Sequence, residues 1–191
     1  MKSIPTTYRD VEYRSRLEAK WAAFFDQLGW QHTYEPFDGD GYLPDFLIHG
    51  DRPMLVEVKP AVSDADYRAA IHKVTAGLTG HWSRDVLILG ADPLPMLASA
   101  PFVDYLSAGL LGENVHDDAL ADGMQPDWYW DVGKWCICRE CHQINVFHSV
   151  QQWIGRPCGH YDGGNNLGNV DPFKIRRHWA TATNSVKWRA S

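Results

Sequence analysis

Tyr42-Leu43-Pro44-Asp45-Phe46 and Leu55-Val56-Glu57-Val58-Lys59 are the two stretches that decide how this chain reads. In an extended strand successive side chains alternate between faces. Glu57 and Lys59 then share one face, while Val56 and Val58 take the other and can enter a core. A carboxylate and an amine two residues apart on an otherwise apolar strand are costly unless each finds a partner. A metal ion suits Glu57, and Asp45, heading the neighbouring strand of a hairpin, can reach the same ion. Two hard oxygen ligands with positions left for water fit Mg2+ or Mn2+. Phosphodiester hydrolysis needs such a grouping, because a bound metal lowers the pKa of its water and clamps a phosphate oxygen. A nearby cation, here Lys59, can orient or deprotonate that water and stabilise developing negative charge.

Outward from these strands the pattern is α/β. Residues 8–28 predict an amphipathic helix, with Leu17, Trp21, Phe24, Phe25 and Leu28 at helical spacing and Gly29 at the capping position. Glu18 lies on it and can supply a further metal ligand or orient a metal-bound water. Strands are expected over 30–35, 42–48 and 53–58, separated by turn-rich Phe37-Asp38-Gly39-Asp40-Gly41 and His49-Gly50-Asp51-Arg52. A second helix starts at Ser63 or Asp64 and runs towards Leu78, and a buried strand covers 85–90. Helix, three strands, helix and strand thus make an α/β domain over residues 1–100.

Residues 101–130 read as a connecting segment. Pro93, Pro95 and Pro101 mark a loop, 102–111 predicts a short helix, and 117–124 is polar. From Trp128 the composition shifts to Trp, Cys, His and Gly, and residues 131–191 are expected to form a metal-stapled module with a terminal helix over 172–188. Phe173, Ile175, Trp179, Val186 and Trp188 are that helix's candidate buried residues.

The paired stretches resemble the signature of the PD-(D/E)XK nuclease superfamily, the restriction-endonuclease-like fold. Tyr13-Arg14-Ser15-Arg16-Leu17-Glu18-Ala19-Lys20-Trp21 is similar to the first helix of phage and actinobacterial nucleases of that group, and Glu18 matches an acidic position found there. Tyr34-Glu35-Pro36 fits the strand that precedes the signature. The resemblance covers about residues 8–92. It implies an αβββαβ core, Mg2+ dependence and cleavage of nucleic acid, usually DNA, by Asp45, Glu57, Lys59 and Glu18. Tyr67, His72 and Lys73, on the following helix, can face a phosphate backbone or simply be exposed. The superfamily also contains members that bind nucleic acid without cutting it, which is the alternative reading. A protein-interaction role through the metal module is a third.

All four cysteines, Cys136, Cys138, Cys141 and Cys158, fall in one short stretch. Cys138-Arg-Glu-Cys141 and Cys158-Gly-His160 offer four ligands at zinc-ribbon separation. Cys136 is the alternative to His160, with His142 and His148 behind them. Four protein ligands leave no place for water, so zinc there is expected to be structural. Trp128, Trp130, Trp135 and Trp153 are candidates for base stacking or for core packing.

The 191 residues carry 45% hydrophobic and 22% charged side chains, a globular composition. No apolar run approaches the ~20 residues that span a bilayer. The opening MKSIPTTYRD lacks an apolar leader, so the expected address is the cytoplasm of a bacterium or phage-infected cell. Net charge is −6, which does not advertise a nucleic-acid binder, although the last twenty residues are basic, with Lys174, Arg176, Arg177, Lys187 and Arg189. Cutting both strands of a duplex with one such site requires a homodimer or two successive nicks, and both stay open.

Overall fold

The computed structural model describes residues 3–97, 105–114, 128–150, 156–162 and 165–186. A hairpin comes first, β1 (Thr6–Tyr8) and β2 (Val11–Tyr13). It turns through Arg9 and Asp10, both at positive φ, the conformation that matches the twist of paired strands. The helix predicted from residue 8 therefore begins later, as α1 (Arg16–Leu28). Ser15 is its N-cap, and its Oγ accepts from the Glu18 N–H at 3.1 Å, satisfying a donor that the first helical turn leaves unpaired. Gly29 ends α1 at φ 70°, a left-handed cap open to glycine without strain.

The expected order of helix, three strands, helix and strand is present as α1, β3 (His32–Tyr34), β4 (Phe46–Ile48), β5 (Met54–Val58), α2 (Asp64–Leu78) and β6 (Val86–Leu89). Strand β4 starts four residues later than predicted. Gly39 and Tyr42 close a tight turn on each other, and Pro44 has no N–H for a ladder. Ser63 caps α2 in a reciprocal box with Asp66.

Next come β7 (Ser107–Asn114), β8 (Trp128–Cys138), β9 (Ile144–His148), β10 (Leu167–Gly168) and α3 (Pro172–Ser185). The short helix predicted over 102–111 is instead a strand from Ser107; residues 101–104 lie outside the described set. Gly109 and Gly112 disfavour a helix, and β7 is held between β6 and β8 along its length. The polar stretch 117–124, Trp153 and residues 187–191 also lie outside the described residues.

One sheet gathers eight strands in the order β10-β8-β7-β6-β5-β4-β3, with β9 on β8. Strands β5 and β6 are parallel and are joined through α2, the crossover that a parallel pair needs. Helices α1 and α3 cover one face over a core that includes Trp21, Phe24, Phe46, Val56, Leu111, Trp135 and Ile175. Helix α2 covers the other, over Leu55, Tyr67, Val74, Ile88, Leu110 and Val132. Trp179 of α3 lies 4.7 Å from the Trp21 ring. Phe173 faces solvent at 81% exposure instead of the core, while Ile175 and Val186 are buried as expected.

The composition shift at Trp128 coincides with the first residue of β8, which runs in the same sheet as the preceding strands. Indole N–H groups tie distant segments together, as buried tryptophans usually do: Trp30 donates to the Ile144 carbonyl at 2.8 Å and Trp135 to the Pro93 carbonyl at 2.7 Å. Trp135 is thus a core residue and not a base-stacking one. Trp128 and Trp130 are half-buried and stack on each other at 5.9 Å. Among the described residues no helix is long and apolar enough to cross a membrane.

Candidate functional site

Strand pairing brings the predicted acid and base residues together. Phe46 lies opposite Val56 across β4 and β5, so Asp45, one residue before β4, comes level with Glu57. The Val58 N–H donates to Asp45 Oδ2 at 2.7 Å. Lys59 donates its Nζ to Glu57 Oε1, and its backbone N–H goes to the Leu89 carbonyl at 2.8 Å. Val56 and Val58 enter the α1 and α3 side of the core, leaving Glu57 and Lys59 on the face of α2, as alternation demands.

Glu57 is only 4% exposed, and among the described residues its Oε2 has no hydrogen-bond partner. Tyr42 Oη, likewise buried without a bond of ordinary geometry, lies beside Glu57 as a looser hydrogen-bonding neighbour. Burial first, and then the charge of Glu57, hold the Tyr42 phenol protonated well beyond its ordinary range. Tyr42 reaches this position by lying against bare Gly77 of α2, where an added methyl would overlap its ring. Burial and the neighbouring Glu57 charge push the Asp45 carboxyl up to about 7, with the Val58 N–H and Lys59 acting the other way.

Beyond Asp45 lies a second ring of polar contacts. Glu18, in the first turn of α1, accepts from Ser15 Oγ and from Tyr34 Oη, both at 2.6 Å. Tyr34 Oη in turn accepts the Arg14 N–H at 3.0 Å. The Arg14 guanidinium spans three carboxylates: Nη2 meets Asp45 Oδ1 at 2.7 Å, and Nε meets Glu35 at 2.8 Å and Glu18 at 3.9 Å. Sequence reading gave no role to Arg14, Tyr34, Glu35, Tyr42 or Ser15. The signal for Ser15 was available, since Ser-x-x-Glu is a helix-start pattern. The Glu35 contact depends on a backbone at φ 46°, which local sequence does not announce.

The second predicted cluster forms as expected. Ligand atoms of Cys138, Cys141, Cys158 and His160 all lie within 4.8 Å of one another, close enough to bind a metal such as zinc. Among the described residues this is the one such gathering of three or more His, Cys, Asp or Glu ligands; Glu18, Asp45 and Glu57 are neighbours but do not converge to that degree. Cys138 ends β8 and Cys141 sits in the turn to β9, closed by the His142 N–H on the Cys138 carbonyl at 2.8 Å, with His142 itself at φ 59°. Buried Asn145 accepts the Cys158 N–H at 3.1 Å, and Asn166 donates to the His160 carbonyl at 2.9 Å. Burial raises the Cys138 thiol, but N–H groups of Cys141 and Glu140 and the nearby His160 and Cys141 side chains outweigh it and bring it down to about 6. Burial and the neighbouring sulfurs push Cys158 up to about 11.

Cys136, the alternative ligand, stays outside this group. It is buried beside Phe147 and Leu167, and burial pushes its thiol up to about 12. His142 is exposed and His148 is buried against the Tyr129 ring; neither joins the cluster. On α2, Tyr67 is fully buried against Gly90 and cannot face a phosphate backbone, whereas His72 and Lys73 are exposed. A cavity of about 500 Å³ opens elsewhere, lined by Tyr8, Arg9, Asp26 and His32 among others. Comparison with protein-family models, curated proteins and solved structures gave no match to this chain.

Proposed function

We propose that this chain is a metal-dependent nuclease of the PD-(D/E)XK kind, with a restriction-endonuclease-like core, a structural zinc at the cysteine cluster, and DNA as its nucleic-acid substrate. One observation carries the reading: Glu57 is buried with an orphaned carboxylate oxygen, level with Asp45 and bonded to Lys59. An unpaired buried carboxylate oxygen is costly, and a hard divalent cation is a donor-matched partner for it. Perturbed carboxyls in such a corner are a mark of functional sites.

In this reading Asp45 and Glu57, with Glu18 behind them, would hold Mg2+ or Mn2+, which when bound activates a water and relieves charge on a phosphate oxygen. The protein does the rest. The Val58 N–H fixes one oxygen of Asp45. Lys59 places an ammonium beside Glu57, where it orients the attacking water and steadies negative charge developing on the phosphate. Tyr42, wedged on Gly77, walls the α2 side against bulk water. At the cysteine cluster, four protein ligands leave no open position, so zinc would staple the β8–β9 turn to the 156–160 loop.

The contact of Arg14 with Asp45 Oδ1 favours a second reading, a nucleic-acid binder of the same fold that does not cut. Single- and double-stranded DNA and RNA incubated with Mg2+ or Mn2+ decide between them. Cleavage is expected from the wild type and a loss of at least about a hundredfold in Lys59→Ala, on the scale of one lost charge-stabilising group. Undiminished cutting by a folded Lys59→Ala would sink the assigned centre. Gel-shift binding without cutting on every substrate would establish the second reading.

A further inference from the structure

Among the described residues Arg14 is the one that touches three carboxylates of the candidate site, and neither the expected acid and base roles nor the zinc cluster accounts for it. We propose that Arg14 is the resident counter-ion of this corner, holding Asp45 until a divalent cation displaces it and then remaining on Glu35. The proposal rests on Asp45 and Glu57 being the metal ligands.

Charge supports it first. Glu18, Glu35, Asp45 and Glu57 face Arg14 and Lys59, so four carboxylates meet two cations. Above pH 7, with Asp45 ionised, the excess is two negative charges, which one divalent ion cancels. The second support is the orphaned oxygen of Glu57, whose residue is more than nine-tenths buried at the same corner. That oxygen is available, whereas Asp45 is not: one of its oxygens is taken by the Val58 N–H and the other by Arg14. This division explains why the acidic residues cluster without converging into a ligand set.

The arginine is also built to pivot. Its planar fork meets Glu35 through Nε and Asp45 through Nη2, so one contact can open while the other stays. The main chain is pinned on both sides, with its N–H on Tyr34 Oη and its carbonyl taking the Ser3 hydroxyl. Its side chain is half exposed, leaving room to swing towards solvent. Glu35, the retaining partner, sits at φ 46°, a left-handed conformation uncommon outside glycine, with its N–H on the Asp45 carbonyl at 3.0 Å. Two of the three acid partners of Arg14, Glu35 and Asp45, are therefore locked to each other through the backbone.

The test is Mn2+ binding by calorimetry to the full chain, saturated with zinc beforehand so that the cysteine cluster does not contribute. Arg14→Ala should bind Mn2+ about tenfold more tightly than wild type, the scale of relieving one screened like-charge contact. Arg14→Lys, which keeps the charge, should bind close to wild type. Equal or weaker binding by Arg14→Ala overturns the proposal and leaves the metal site standing. Absence of binding by the wild type removes the metal reading and this proposal with it. Should Arg14→Ala not fold, side-chain nitrogen signals of Arg14 in the wild type provide the second measurement. Mg2+ should shift the Nη resonances while the Nε resonance keeps its position beside Glu35, and unaltered Nη resonances at saturating Mg2+ overturn the proposal.

Discussion

Asp45→Asn should make the protein more stable at neutral pH while abolishing cleavage. The carboxyl of Asp45 ionises near 3.8 in an ordinary setting and near 7 in the fold, driven first by burial and then by the Glu57 charge. At about 1.4 kcal/mol per pH unit, that displacement corresponds to about 4 kcal/mol of ionisation cost above pH 7. The sign follows from linkage. Between pH 4 and 7 the folded chain holds a proton that the unfolded chain has released, so stability falls as pH rises through this window. Asparagine keeps an oxygen for the Val58 N–H, and the Arg14 ion pair it gives up is already contained in that net displacement. The net expectation is a variant about 4 kcal/mol more stable than wild type at pH 8 and about equal to it at pH 4. Urea unfolding of zinc-saturated protein without added Mg2+, at a series of pH values, reads the difference directly. A gap independent of pH, or a variant less stable at pH 8, would show that burial does not lift the Asp45 carboxyl and would refute the reasoning.

Further outcomes follow from the same contacts. Gly77→Ala should cost about 1–3 kcal/mol of overpacking against Tyr42, offset by about 1 kcal/mol of helix propensity. It should also depress cleavage by moving Tyr42 off Glu57; thermal unfolding and a nuclease assay together check it, and a fully active, more stable variant would refute the wedge. Metal analysis should find one zinc per chain, retained in Cys136→Ser and lost in Cys141→Ser and Cys158→Ser. Zinc in Cys158→Ser with none in Cys136→Ser would reverse the ligand assignment. Stripping the metal should also loosen the β4–β5 turn, since Gly50 lies so close to Pro157 that a methyl there would come within 2.6 Å of its carbonyl. Hydrogen exchange at residues 49–52 measures that coupling, and unchanged protection would deny it.

Much of the site was legible because it is periodic or local. Alternation placed Glu57 and Lys59 on one face and Val56 and Val58 on the other, and cysteine spacing brought four ligands together, since both depend on residues a few positions apart. Ser63 and Gly29 marked helix ends through their own capping chemistry. The first helix was read as eight residues too long, because its apolar spacing says where a helix is stable and not where it starts. Ser15 and Glu18 fix that start. The apolar and aromatic residues between 102 and 111 suggested a helix, but the pairing partners that make β7 a strand lie in β6 and β8.

The paired stretches around Asp45 and Glu57 thus determined by themselves that these two carboxylates meet across a hairpin and that Glu57 and Lys59 share one face of a strand. Only tertiary structure decided their state. Burial and the Glu57 charge lift Asp45, burial leaves one oxygen of Glu57 without an ordinary hydrogen bond, and the meeting of Arg14, Glu18 and Glu35 around Asp45 joins segments up to thirty-one residues apart. The reason is physical: alternation and capping act along the chain, whereas desolvation and charge neutralisation depend on what the folded chain brings alongside.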